Sequence, residues 1–316
     1  VQAPSPVVAM ARLRSIACHF AQARRTVLLR AAGSHSELFL SGTQSWGALR
    51  RCSTYSLNTE TVSYLAGGKS DHEVYLVGTA HVSEISAEDV RQTIDYVKPD
   101  CIMVELCAKR ARRIRADKDG SSSEELMRKL LQEGPAGRPF SEWLLRVGFS
   151  GIYALMRQYG LIPGLEFKVA LAEAERRGLP TCVADRDVDE TMQLLHQALP
   201  SLYRAASSPP PMSRELEELV GDLSIFKLSS SVERLKNRRH IRLFRDHMTQ
   251  AMPDLMDVLV HQRDVLMTDK LLNECKSGRI VAVVGMAHMD GIESEWQRRG
   301  GEIFLHTDNS LKSHRF

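Results

Sequence analysis

The chain has 316 residues, 43% of them hydrophobic and 26% charged, and a formal net charge of +3. That composition belongs to a globular protein long enough to bury a sizeable core. No stretch of about 18 uninterrupted apolar residues occurs, so no transmembrane helix is expected, and the basic excess is confined to one end, which argues against a nucleic-acid-binding body.

Residues 1–56 hold seven arginines, eight serines and a single acid, Glu37, a net charge of +6 that leaves −3 for the rest. An Arg-rich, Ser-rich, acid-poor segment reads as an organelle transit peptide, for a mitochondrion or a chloroplast. Residues 57–73 read as a linker ending in the turn GlyGlyLysSerAsp (67–71). The folded body is expected over 74–306, with a short tail at 307–316.

The body opens on a β-rich run, 74–78. Ser86 with Asp89 signals a helix start, and Val90, Ile94 and Val97 recur at helical spacing. LysProAsp (98–100) closes that helix, and 101–106 is a second strand, giving a βαβ unit with parallel strands. Helices are expected at 108–117, 124–133, 141–159 and 165–177, then a third strand at 181–185 and a helix from 188 to about 199. A Pro-rich linker (207–211) precedes long helices at 213–226, 230–250 and 254–276. The most apolar strand, 279–285, is followed by a helix at 290–299 and a short strand at 302–306. The fold class is therefore α/β: a mostly parallel sheet of βαβ units flanked by helices, with a helical insertion over about 108–178 and 212–276. The basic run 236–245 reads as a solvated helix face. The cysteines show no CxxC spacing, and Cys101, Cys107 and Cys182 read as packing residues.

Two matched motifs, GlyThrAlaHis (78–81) and GlyMetAlaHis (285–288), each end a strand. Functional groups of parallel sheets gather beyond the carboxyl ends of the strands, where Glu105 and AspArgAsp (185–187) also fall. Glycine at 78 and 285 is expected to let the backbone turn there. Two histidines and a carboxylate suffice to hold a catalytic metal, so His81, His288 and Glu105 are candidate ligands. Glu166 or Asp185 could then serve as general base. Arg110, Arg186 and Arg263 could pair with these acids or hold an anionic group. The bland reading of a histidine after a strand is structural, and AspArgAsp can equally be a helix-capping ion-pair cluster.

ValGlyThrAlaHisValSer (77–83), ValGluLeuCysAlaLysArg (104–110), ProGlyLeuGluPhe (163–167), AlaAspArgAspVal (184–188), GlnArgAsp (262–264) and ValValGlyMetAlaHisMetAspGlyIle (283–292) together resemble the TraB family in residues and in order. The family includes bacterial pheromone-shutdown proteins and is distantly similar to Tiki-type metalloproteases, erythromycin esterases and ChaN-like proteins. The resemblance implies a TraB domain over 74–306 with an α/β core. It places Gly78, His81, Glu105, Arg110, Glu166, Asp185, Arg186, Arg263, Gly285 and His288 around a site. From the Tiki-like relatives it implies a divalent-metal-dependent hydrolase, peptidase-like, with zinc, manganese or cobalt on His81, His288 and Glu105. The alternative is a non-catalytic organellar regulatory protein that binds a peptide or small anionic ligand in the same pocket. One departure stands out: relatives usually carry Glu where this chain has Gln262.

Overall fold

Alternating apolar residues in β5 (Gly278–Gly285) organise the two cores of the fold. Ile280, Ala282 and Val284 enter one cluster, while Val281 and Val283 enter the other. This is the period-two alternation of a strand whose faces are both covered. The computed structural model describes residues 57–58, 60–67, 72–80, 84–116, 122–158, 163–207, 209–221, 237–275 and 278–304. They belong to a compact unit spanning Thr54–Phe316. The expected transit segment 1–56, the tail 307–316 and His81 lie outside the described residues.

Among the described residues the sheet has six strands in the order β4-β3-β5-β2-β1-β6. They are β1 (Val62–Gly67), β2 (His72–Thr79), β3 (Cys101–Val104), β4 (Thr181–Val183), β5 and β6 (Gly301–Phe304). β4, β3, β5 and β2 are parallel, whereas β1 runs antiparallel to both of its neighbours, β2 and β6. The last parallel strand in the chain therefore sits between the first two. Its register places Val283 beside Val104 on one side and Gly285 beside Thr79 on the other.

One face is covered by α1 (Glu84–Val97) and α5 (Leu165–Arg177), which bring Val90, Ile94, Phe167, Ala170 and Leu171 against Val281 and Val283. The other is covered by α10 (Gln262–Asn273) and α11 (Met286–Arg298), which supply Met267, Leu271, Met289, Ile292 and Trp296. Each fully buried aliphatic side chain of this kind contributes about 1.5–3 kcal/mol. Between α1 and α5 run α2 (Ala108–Ala116), α3 (Ser122–Glu133) and α4 (Phe140–Gln158). After β4 come α6 (Val188–Ser207), α7 (Arg214–Gly221), α8 (Arg238–Ala251) and α9 (Pro253–Met256). α4, α6 and the segment after α9 share a satellite core around Leu195 and Val258.

Four expectations are corrected. The segment 57–73 is not merely a linker, because it contributes β1, whose Val62 and Leu65 are fully buried. The helical insertion is narrower than expected, since α5 and α10 belong to the layers that cover the sheet. α6 continues through Pro200 to Ser207 instead of stopping before it. α11 begins directly after β5 rather than at 290, so His288 lies in the first turn of a helix.

Candidate functional site

Parallel pairing brings the ends of β3, β4 and β5 level. The backbone N–H of Glu105 donates to Val283 O (3.0 Å), that of Ala184 to Val104 O (3.0 Å), and that of Asp185 to Leu106 O (3.2 Å). Glu105, Asp185 and His288 thus meet on one edge, although 183 residues separate the first from the last. All three are buried. This is the edge where a parallel sheet collects its functional groups.

Glu105 is held on every side. Its Oε2 accepts from the Gly285 N–H at 2.7 Å. Its Oε1 accepts from Arg263 Nη2 and lies 3.2 Å from His288 Nε2. Arg263 also clasps Asp185 with two parallel bonds, Nε to Oδ1 at 2.7 Å and Nη2 to Oδ2 at 3.0 Å. A bidentate guanidinium–carboxylate pair fixes orientation as well as charge. Arg110 adds a longer contact, Nη1 to Asp185 Oδ2 at 3.4 Å. Burial opposes the charged form of Arg263, but the Glu105 and Asp185 carboxylates outweigh it and hold the guanidinium protonated.

His288 stands between two carboxylates. Its Nδ1 lies 2.6 Å from Asp264 Oδ1 and its Nε2 faces Glu105. Burial alone would push its pKa down; the neighbouring Glu105 and Asp264 carboxylates reverse that and raise it to about 9. Asp264 is steadied in turn by Arg245, whose Nη2 donates to Oδ2 at 3.1 Å while its Nη1 donates to Ala287 O at 2.9 Å.

Asp264, Arg245 and Gly291 belong to the site although the sequence assigns them no role. Asp264 and Gly291 lie within the motifs at 262–264 and 283–292. A Cβ on residue 291 would stand 1.8 Å from Asp264 Oδ2, so only glycine lets α11 approach this carboxylate. Arg245 was assigned to a solvated face, and the structure corrects this. Arg238, Arg242 and Arg245 recur at helical spacing and turn toward α11, where they meet Glu293, Asp290 and Ala287 O, and Arg245 also reaches Asp264 of α10. The spacing of four and three was the available signal.

The glycines at 78 and 285 also act differently from expectation. Neither has a positive φ, so neither makes a sharp left-handed turn. Gly78 is required by packing: a Cβ there would meet Met289 Sδ at 2.1 Å. Gly285 serves through its N–H, which binds Glu105.

α9 and α10 join through a π-turn, Asp257–His261, whose last bond runs from the Gln262 N–H to Asp257 O. The Gln262 side chain repeats the same five-residue spacing, Nε2 donating to Asp257 Oδ2 at 2.6 Å. Such turns frequently mark functional positions, and this one immediately precedes Gln262, Arg263 and Asp264. Gln262 Oε1 accepts from Arg186 Nη2 at 2.7 Å, a hydrogen bond to arginine from a side chain that carries no charge. Glu166 is fully buried in the first turn of α5, after the left-handed Gly164.

Among the described residues no group of three or more His, Cys, Asp or Glu converges to hold a metal ion, and His81 is not one of those residues. Among them, too, no helix is long and apolar enough to cross a membrane. A cavity of about 440 Å³ between α8 and α11 is lined by Arg242, Arg245, Asp290 and Glu293, none of them a sequence candidate.

Comparison with known proteins covers this whole edge. The sequence profile of the TraB/PrgY/gumN family matches residues 66–298. A TraB domain-containing protein of Bos taurus is 31% identical over 249 residues, covering 71% of this chain and 62% of the relative. Its Homo sapiens counterpart is 30% identical over 245 residues, with the same coverage. An uncharacterised protein of Methanocaldococcus jannaschii is 29% identical over 227 residues, covering 71% of this chain and 53% of its own length. The chain thus spans about three fifths of the mammalian relatives.

Proposed function

This chain belongs to the TraB/PrgY/gumN family, and we propose that it is a peptidase-like hydrolase that works with a divalent metal ion on His81, His288 and Glu105. The observation that supports this most is the posture of His288. A carboxylate holds its Nδ1 and leaves Nε2 facing a second carboxylate, which is how proteins orient a metal-binding imidazole. The donors, imidazole and carboxylate, suit zinc, manganese or cobalt. Bound there, such an ion would supply an acidified water and polarise a carbonyl. The chain's own residues do the rest. Asp264 fixes the ring of His288, Arg263 locks Glu105 to Asp185, and Glu166 or Asp185 is the proposed proton acceptor.

A second reading is favoured by a different observation. Both oxygens of Glu105 are already engaged, by Gly285, Arg263 and His288. An edge so self-satisfied suits a non-catalytic protein that binds a peptide or small anionic ligand. Elemental analysis of the purified full chain separates the two. The hydrolase reading expects about one divalent ion per chain, lost in the His81→Ala/His288→Ala variant. Metal-free wild-type protein that takes up neither zinc nor manganese leaves only the binding reading.

Residues 1–56 are proposed as an organelle address on their composition. Fused to a fluorescent protein, they should direct it to mitochondria or plastids; diffuse fluorescence would refute the address.

A further inference from the structure

We infer that Arg186 is the anchor for a carboxylate group of the ligand that this edge binds. The inference rests on the reading of the edge as a ligand site and names the chemistry that it takes. Of the arginines expected to hold an anion, Arg263 is spent on Asp185 and Glu105, and Arg110 leans on Asp185. Arg245 is spent on Asp264 and Ala287.

Arg186 differs. It is 8% exposed, yet among the described residues no carboxylate lies within hydrogen-bond distance of its side chain. Its Nη2 binds the neutral Gln262 Oε1 at 2.7 Å. Its Nε lies 3.7 Å from Glu190 Oε1, too far for a hydrogen bond, and the Glu190 side chain is 60% exposed. Its Nη1 is buried without a hydrogen-bond partner among the described residues. A guanidinium removed from water and left without a full set of acceptors is costly, and a planar carboxylate is the partner that its fork fits.

The pairing runs the same way. Arg110, Arg245 and Arg263 each lie within 3.4 Å of a buried carboxylate, Asp185, Asp264 or Glu105, whereas the only carboxylate near the Arg186 guanidinium among the described residues is the exposed Glu190. The Arg186 side chain reaches Gln262, the residue before Arg263, and its backbone N–H donates to Asp185 Oδ1 at 2.8 Å, so the residue sits beside the Asp185–Arg263–Glu105 chain. Glu190 is the loose internal occupant that an incoming carboxylate replaces.

The test is a titration of the full-length protein, stripped of metal by chelation, with acetate, trialanine and trialanine amide at constant ionic strength. Binding is followed by calorimetry and by the NMR signals of the arginine side chains. The acid form of trialanine should bind at least about tenfold more tightly than the amide. Glu190→Gln should strengthen that preference by removing the competitor, and Gln262→Glu should weaken it by neutralising Arg186. Arg186→Gln should abolish it. Because that last change removes a buried group and can unfold the chain, the exposed Glu190→Gln variant carries the test on its own. Binding of acetate as well as trialanine identifies any small carboxylate, and binding of trialanine alone identifies a peptide C-terminus; either supports the inference. Equal binding of acid and amide, no saturable binding, or a Glu190→Gln variant without effect overturns it. Since the titration is metal-free, its failure leaves metal uptake, and with it the hydrolase reading, to stand or fall separately.

Discussion

The carboxylate of Asp264 meets Nδ1 of His288 at 2.6 Å, and it reaches that position against α11 because residue 291 has no side chain. A single methyl group at 291 would overlap Asp264 Oδ2. Gly291→Ala should therefore destabilise the fold by about 1–3 kcal/mol, as overpacking of a tight contact does. The urea midpoint gives the value. Because Asp264 is the atom struck, Asp264→Ala should relieve part of the cost in the double variant. Strict additivity of the two changes would argue against this contact.

Arg263 joins two buried carboxylates that lie 80 positions apart in sequence, Glu105 and Asp185. Replacing it by Met leaves Asp185 with only the longer contact to Arg110 and Glu105 with only His288 and the Gly285 N–H. Removal of one partner from a buried ionic cluster costs about 3–5 kcal/mol. Denaturant unfolding of Arg263→Met should show a loss of that order, whereas the exposed pair Arg214–Glu218 should yield less than about 1 kcal/mol when broken. Equal effects at the two places would refute the buried network.

Should the protein hold a metal on His288, the second carboxylate becomes measurable through it. Asp264→Asn keeps the size and hydrogen-bonding reach of the side chain and removes its charge. Supporting partners of this kind are worth about 10–100-fold in metal affinity. Competition titration with a zinc indicator should show a loss within that range, and unchanged affinity would deny Asp264 the supporting role.

Several carboxylates away from the site are held low by arginine or lysine. Glu295 beside Arg298 and Arg299 is lowered to about 2. Asp189, with its hydrogen bond from Lys109, is lowered despite partial burial, and burial of Glu173 and Asp290 is likewise overcome by their arginines. A carboxyl whose pKa is depressed on folding stabilises the protein above its unfolded value, about 4, and loses that stabilisation as pH falls through the folded value. The melting temperature should hold steady on the alkaline side of pH 5 as far as these groups are concerned, and fall between pH 4 and about 2. A melting temperature that rises on acidification through this window would contradict the pairing.

Much of the architecture is local and therefore readable. The strand at 279–285 shows in its unbroken apolar run, and α5 shows in its spacing and its closing Gly178, whose backbone is left-handed. The ends of the strands mark Glu105, Asp185 and His288 for one edge once the strands are taken as parallel, and the ordered motifs identify the family. What one residue tells its neighbours is enough for these features, because periodicity and turn chemistry act within a few positions.

Strand order, partner choice and close approach are different in kind. That β5 enters between β2 and β3, that β1 completes the sheet, and that Arg238, Arg242 and Arg245 face α11 all depend on groups far apart in the chain. The hydrogen bonds that complete the site join Glu105 to Gly285 and Arg263, 180 and 158 residues away. The π-turn before Gln262 sets which way the next three side chains point, and no local pattern announced it. The sequence by itself determined that Glu105, Asp185 and His288 reach one edge of the sheet. Only the tertiary structure decided which of them are consumed by one another and that Arg186 keeps a donor to spare, since that depends on distances across the folded core.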